Sequence, residues 1–203
     1  MIKNKFYKFF DIFWKYFFII IIKINFHDFK VHFDFSLEKK KSILFIGNHF
    51  SWWDGFFIYH LNEKILKKRF NVMMLEEELS KRKFLTTTGA FSVRKNSKEI
   101  IKTISYSAEI LNNPNNLLLM FPQGKIESMH KSEIKFERGV YKILEKTLKP
   151  IQIIFSVVMI DYLSNRKPTV NVYLKEFDVE KNKIIDLECV YNEWYKEVKE
   201  KLQ

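Results

Sequence analysis

The 203-residue sequence carries one cysteine, Cys189, four prolines and five glycines. A single thiol excludes an internal disulfide and any zinc site built from several cysteines, and it is compatible with a reducing cytoplasm. The histidines at 27, 32, 60 and 130 lack metal-ligand spacing. No Gly-x-Ser-x-Gly elbow is present, which argues against a serine hydrolase. Arginine is scarce too: only five of the 35 Lys+Arg residues are Arg. Nucleic-acid readers depend on Arg for bidentate contacts. The formal net charge of +11 therefore points to a membrane surface or an acidic carrier protein, and no nucleic-acid partner is expected. Long apolar runs are missing as well. The longest near the N-terminus, Tyr16 to Ile22, is closed by Lys15 and Lys23, far short of the about 20 residues that span a bilayer. Residues 1–26 offer no small residues for a cleavage site, so no secretory signal peptide is expected.

What is abundant is apolar and aromatic: 47% hydrophobic residues, 17% aromatic. That composition excludes disorder and supports one sizeable core. At 100° per residue, Asn4, Lys5, Lys8, Asp11 and Lys15 share one face of an N-terminal helix. Phe6, Phe9, Phe10, Phe13, Trp14 and Phe17 occupy the rest. This pattern suits an amphipathic helix lying in a membrane interface; packing on the protein's own core is the alternative. The expected organisation is an anchor helix over 1–28 and a single domain over 29–203.

Within that domain, strands are expected at Phe29–Phe35, Ser42–Gly47, Phe70–Leu75, Ala90–Val93, Leu117–Phe121, Pro150–Val158 and Thr169–Leu174. Helices are expected at Asp54–Leu61, Ser97–Leu111, Glu137–Leu148 and Ile184–Leu202, with a short basic helix between the strands at 70 and 90. The alternation predicts an α/β fold: a central mainly parallel or mixed sheet flanked by helices. Cys189 is expected in the core of the closing helix.

Chemistry is concentrated after the strand SILFIG, which runs into Asn48-His49-Phe50-Ser51-Trp52-Trp53-Asp54. Turns after buried strands are where α/β folds expose reactive groups. A helix beginning near Trp53 lets the Asp54 carboxylate hold one nitrogen of His49 and leave the other as a base. A hydrogen-bonded turn histidine is the plainer alternative. Three further segments stand out: Gly89-Ala90-Phe91-Ser92-Val93-Arg94, Phe121-Pro122-Gln123-Gly124-Lys125 and Phe136-Glu137-Arg138-Gly139, followed by Pro150-Ile151.

Together these five segments, in this order, resemble the glycerolipid acyltransferase family, which includes lysophosphatidate and glycerol-3-phosphate acyltransferases. The resemblance implies that His49 is the general base on an acceptor hydroxyl and that Asp54 orients it. It implies direct transfer of a fatty acyl group from acyl-CoA or acyl-carrier protein, used as co-substrate, with no other cofactor and no metal. It places the protein at the cytoplasmic face of a membrane, peripheral or monotopic. It assigns acceptor binding to Arg94, Gln123, Gly124 and Lys125. A backbone N–H near Gly124 is one candidate for the oxyanion donor. Phe91 and Phe121 read as packing, and Trp52 and Trp53 as packing or a wall of an acyl channel.

The third motif departs from the family pattern Phe-Pro-Glu-Gly-Thr-Arg-Ser. Gln123 stands for Glu, Lys125 for Thr, Ile126 for Arg and Glu127 for Ser. Lys copies only the point charge of a phosphate-gripping Arg. The acceptor is therefore a lysophospholipid such as lysophosphatidate or, alternatively, a lipid alcohol without a phosphomonoester: an N-acyl amino acid lipid, a glycolipid or a terpenoid or polyene alcohol. The Glu127-Ser128 pair adds negative charge and favours the latter. A non-catalytic lipid-binding member is the remaining reading. The basic runs Lys64, Lys67, Lys68, Arg69 and Lys81, Arg82, Lys83 suit an acidic carrier protein, an anionic lipid surface or plain solvation.

Overall fold

Apolar runs without polar alternation become strands covered on both faces, and SILFIG is the clearest case. In the computed structural model, which describes residues 1–95 and 98–201, all six of its residues are buried. In chain order the elements are α1 (Lys8–Asn25), β1 (Asp28–His32), β2 (Ser42–Gly47), α2 (Asp54–Leu61), β3 (Arg69–Leu75), α3 (Glu76–Lys81), β4 (Ala90–Val93), α4 (Ile100–Leu111), β5 (Asn116–Met120), α5 (Gly139–Lys146), β6 (Ile151–Asp161), β7 (Thr169–Glu176) and α6 (Leu187–Glu200).

The strands form one seven-stranded sheet in the order β1-β7-β6-β2-β5-β3-β4. Neighbours run parallel except β6 and β7. The sheet is therefore mixed, and β2 sits near its centre with Ile46 opposite Met120 on one side and Phe155 on the other. Alternate residues of the strands feed two cores. Ile43, Phe45, Leu117 and Leu119 pack with α1 and α2, through Phe18, Ile22, Phe57 and Ile58. Leu44, Ile46, Leu118 and Met120 pack with α4, α5 and α6, through Ile104, Val140 and Tyr191. The carboxyl ends of β2, β5, β3 and β4 emerge along one edge of the sheet, which is where such folds collect ligands.

The N-terminal helix occupies Lys8–Asn25 rather than the whole of 1–28. Residues 1–7 are not helical. Ser92 donates its N–H to the Ile2 carbonyl at 2.8 Å, and Lys5 donates to Thr86 at 2.9 Å. This strap covers the β4 edge and satisfies backbone groups that an open edge would leave unpaired. Asn4 accordingly bonds Asn71 at 2.8 Å instead of extending a polar helix stripe. One side of α1 packs inward through Trp14, Phe18 and Ile22. The other exposes Phe9, Phe13, Tyr16, Ile20 and Ile24. The packing alternative thus holds for the inward side of this helix. Among the described residues, no helix is long and apolar enough to cross a membrane.

Several expectations need correcting. The segment between β3 and β4 is not a basic helix: α3 opens on Glu76, Glu77 and Glu78, and a 3-10 turn at Lys83–Thr88 follows. Negative side chains at a helix N-terminus complement its dipole. Cys189 is exposed, not core, because Leu187, Tyr191, Trp194 and Tyr195 form the buried stripe of α6. Ser97 and Leu202, expected helix ends, lie outside the described residues. The glycine of the 89–94 segment has a clear cause: Gly89 sits at φ +102, and a Cβ there would lie 2.1 Å from the Phe70 carbonyl oxygen.

Candidate active site

β2 ends at Gly47, and the residue after it sets the path of the chain. Asn48 is buried; its Nδ2 donates to the Val158 carbonyl at 3.0 Å and its Oδ1 accepts the Val158 N–H at 2.8 Å. The turn leaving β2 is thereby pinned to the neighbouring strand. His49 comes next, and Asp54 is the first residue of α2. The chain folds back so that His49 Nδ1 lies 2.8 Å from Asp54 Oδ2. The same oxygen accepts the N–H groups of Phe50 and Ser51, each at 2.8 Å. An oxygen that already accepts two backbone N–H groups presents an acceptor to the ring, so in the neutral imidazole Nδ1 is the donor and Nε2 carries the lone pair. The Phe121 ring lies flat on the imidazole, with centroids 4.2 Å apart and planes at 12°. Phe121 is thus a wall of the site, not simply core; its place one residue past β5 carried no sequence signal of this.

Asp54 is fully buried, and its Oδ1 has no hydrogen-bond partner among the described residues. Burial pushes its carboxyl up from the ordinary value, while the contacts from His49, Ser51 and Phe50 pull it back. Fixed in place and partly desolvated, it is well set to stabilise an imidazolium.

The turn after β5 closes against this loop. Gly124 lies at φ +64 and donates its own N–H to the Phe121 carbonyl at 3.0 Å. That amide closes a turn. Gln123 is buried, and its Oε1 accepts the His49 backbone N–H at 2.6 Å. Glu127 accepts from Gln123 Nε2 at 3.0 Å and lies 3.3 Å from Lys125 Nζ. Lys131, Gln123 and Lys125, in that order, hold its carboxyl down at about 2.

A cavity of ≈ 450 Å³ opens beside His49. Its apolar depth includes Phe18, Tyr59, Phe70, Val72 and Leu85, and Trp52 and Phe56 line it as well. Glu78, Lys95, Lys125 and Glu137 bring charged side chains to its lining. Lys125 is largely exposed there, and Lys95 Nζ meets Glu137 Oε1 at 2.8 Å. Arg94 instead bonds Glu76 and lies 3.7 Å from Glu99. The cation that lines the cavity from this segment is therefore Lys95, which the sequence reading missed. Trp53 packs against Phe26 and Phe57, whereas Trp52 carries the Arg82 guanidinium over its ring at 4.7 Å.

Part of the basic runs proves structural. Lys68 Nζ donates to the carbonyls of Lys39, Lys41 and Pro114 at 2.7, 2.9 and 2.7 Å, and Arg69 lies over Phe6 at 4.3 Å. Among the described residues, no three His, Cys, Asp or Glu side chains stand close enough to share a metal ion.

Residues 28–160 match a family model described as Acyltransferase. No curated protein matches the sequence. The fold is similar to that of the 1-acyl-sn-glycerophosphate (LPA) acyltransferase PlsC from Thermotoga maritima. That likeness has a TM-score of 0.64 and 15% identity, and covers 93% of this chain and 78% of that one.

Proposed function

The chain belongs to the acyltransferase family, and from that premise we propose that it moves a fatty acyl group from a thioester donor, acyl-CoA or acyl-carrier protein, to the hydroxyl of a single-chain membrane lipid. The observation that carries this reading is a base with a free nitrogen, His49, at the mouth of an apolar cavity. His49 Nε2 takes the acceptor's hydroxyl proton as the oxygen attacks the thioester carbonyl. Asp54 stabilises the imidazolium. The tetrahedral centre collapses with cleavage of the carbon–sulfur bond, and the departing thiolate recovers the proton from His49. The products are an ester and a free thiol, and no acyl-enzyme forms. Holding both substrates against one base supplies much of the acceleration. The exposed face of α1, with Lys8, Lys15 and Lys23 on the same helix, suits a peripheral position on a membrane, where the lipid acceptor resides.

For the acceptor, the reading is a lysophospholipid such as lysophosphatidate, its head group near Lys95 and Lys125. A specific observation favours a second acceptor class: Lys125 already faces Glu127, and Lys95 faces Glu137. Cations matched by carboxylates suit an uncharged or zwitterionic head better than a phosphomonoester dianion. The test is an acceptor panel with labelled acyl-CoA and acyl-carrier protein: lysophosphatidate, other lysophospholipids and a hydroxylated N-acyl amino acid lipid. Preferred transfer to lysophosphatidate supports the first acceptor class; transfer confined to acceptors without a phosphomonoester supports the second. Failure of every pair would contradict the proposed reaction.

A further inference from the structure

Gln123 does not itself line the cavity, yet its side chain is joined to the backbone of His49. Its Oε1 accepts the His49 N–H at 2.6 Å. Four residues on, the Glu127 N–H donates to the His49 carbonyl at 2.9 Å. Both peptide groups of His49 are thus bound by one short turn. The turn is closed on itself by the bond from Gln123 Nε2 to Glu127 Oε2, at 3.0 Å. The other carboxylate oxygen, Oε1, is held by Lys131 at 2.6 Å.

This arrangement fixes the chemistry needed at both positions. One end of residue 123 must accept from an N–H, and the other must donate to a carboxylate. A side-chain amide does both, and in one orientation only: the flipped amide would set N–H against N–H and carbonyl against carboxylate. A carboxylate at 123 would still accept from His49 but would face Glu127 across a hydrogen-bond distance, and two like charges so placed oppose each other. The pattern that the sequence resembles has Glu at 123 and Ser at 127. Here the carboxylate has moved four residues along, and the amide has taken its former place.

We propose that Gln123 and Glu127 are positioning residues: they form a polar clamp on the main chain of His49, and the clamp requires an amide at 123 opposite a carboxylate at 127. The departures at 123 and 127 are then a matched pair, amide facing carboxylate. The consequence for transfer rests on the base role proposed for His49, but the clamp itself does not.

The test compares the full-length wild type with Gln123→Glu, Gln123→Met and the double variant Gln123→Glu/Glu127→Gln. Two quantities are read: acyl transfer, and backbone amide hydrogen exchange at His49. Circular dichroism and melting temperature select variants that fold. Both single variants are expected to lower kcat by about 10²-fold with KM little changed, since displacement of a reacting group by an ångström has that scale of effect. In the Met variant the His49 amide exchanges at least about tenfold faster, because its acceptor is gone. The double variant restores an acceptor–donor pair with the direction reversed, and transfer returns to near the wild-type rate. Full transfer by Gln123→Glu, or a double variant no better than the single one, would overturn the clamp. If His49 exchange follows the expected pattern while no variant and no wild type transfers acyl groups, the clamp stands and the proposed reaction fails.

Discussion

Arg94 and Lys95 are adjacent in sequence and serve different neighbours. Arg94 bridges Glu76 and Glu99 beside the carboxyl end of β3, while Lys95 lines the cavity near Gly124. Substituting Arg94 by Ala is expected to change KM by less than about twofold and to leave the melting temperature little changed, as befits an exposed ion pair. Lys95→Ala should raise KM for a phosphate-bearing acceptor by about tenfold or more, the scale of one charge-assisted hydrogen bond. Steady-state kinetics on both variants, with melting temperatures, separates the two roles. The His49–Asp54 pair was legible because five residues across a strand-to-helix turn suffice to bring the two together. The Arg94–Lys95 distinction was not, since both residues lie past the end of β4 and their partners, Glu76 and Glu137, are remote in sequence. Gln123 was legible as a departure from a pattern, but its true contact, a backbone N–H 74 positions away, leaves no mark in composition or spacing.

Helix α2 carries both Asp54 at its start and His60 near its end. His60 is buried with its ring edge-on to Phe29 at 5.0 Å, and its Nδ1 has no partner among the described residues. Burial first, then Lys64 and Lys23, lowers its pKa from 6.5 to about 4. The unfolded chain therefore binds a proton in a window where the folded one does not. Stability from this group is full above pH 6.5 and is lost as pH falls towards 4. Melting temperature should drop by several degrees over that interval, and His60→Phe, which keeps the ring shape, should flatten the decline. An unaltered pH profile in the variant would assign the acid lability elsewhere. The span of α2 itself followed from its sequence, because Asp54 marks a start and the apolar run Phe56–Tyr59 follows it. The limits of α1 did not, because residues 1–7 have the composition of the helix and are drawn out by the edge of β4, a partner that no local pattern reveals.

The whole molecule presents two contrasting features on one framework. The sheet's carboxyl edge gathers the loops after β2, β5, β3 and β4, while the outward side of α1 exposes Phe9, Phe13, Tyr16 and Ile20. With a net charge of +11, the protein is expected to bind vesicles containing anionic lipid, and salt should weaken that binding. Phe9→Ser/Phe13→Ser should reduce vesicle co-sedimentation by about tenfold or more, given two aromatic rings removed from the acyl boundary, and leave the melting temperature nearly unchanged since both rings are exposed. The α/β class was readable from alternating runs. The strand order was not: nothing local states that β5 enters between β2 and β3, or that β7 turns back antiparallel beside β6, because those choices belong to the pairing of distant segments.

Base catalysis by His49 is the claim on which the rest depends. The most direct measurement is the initial rate of ester formation from labelled thioester by wild type, His49→Ala and Asp54→Asn, in the same mixed vesicles and with folding verified for each. Both variants are expected to fall by about 10²–10⁴-fold, the usual worth of a positioned general base. A His49→Ala protein that is folded and transfers acyl groups at the wild-type rate would contradict the mechanism outright.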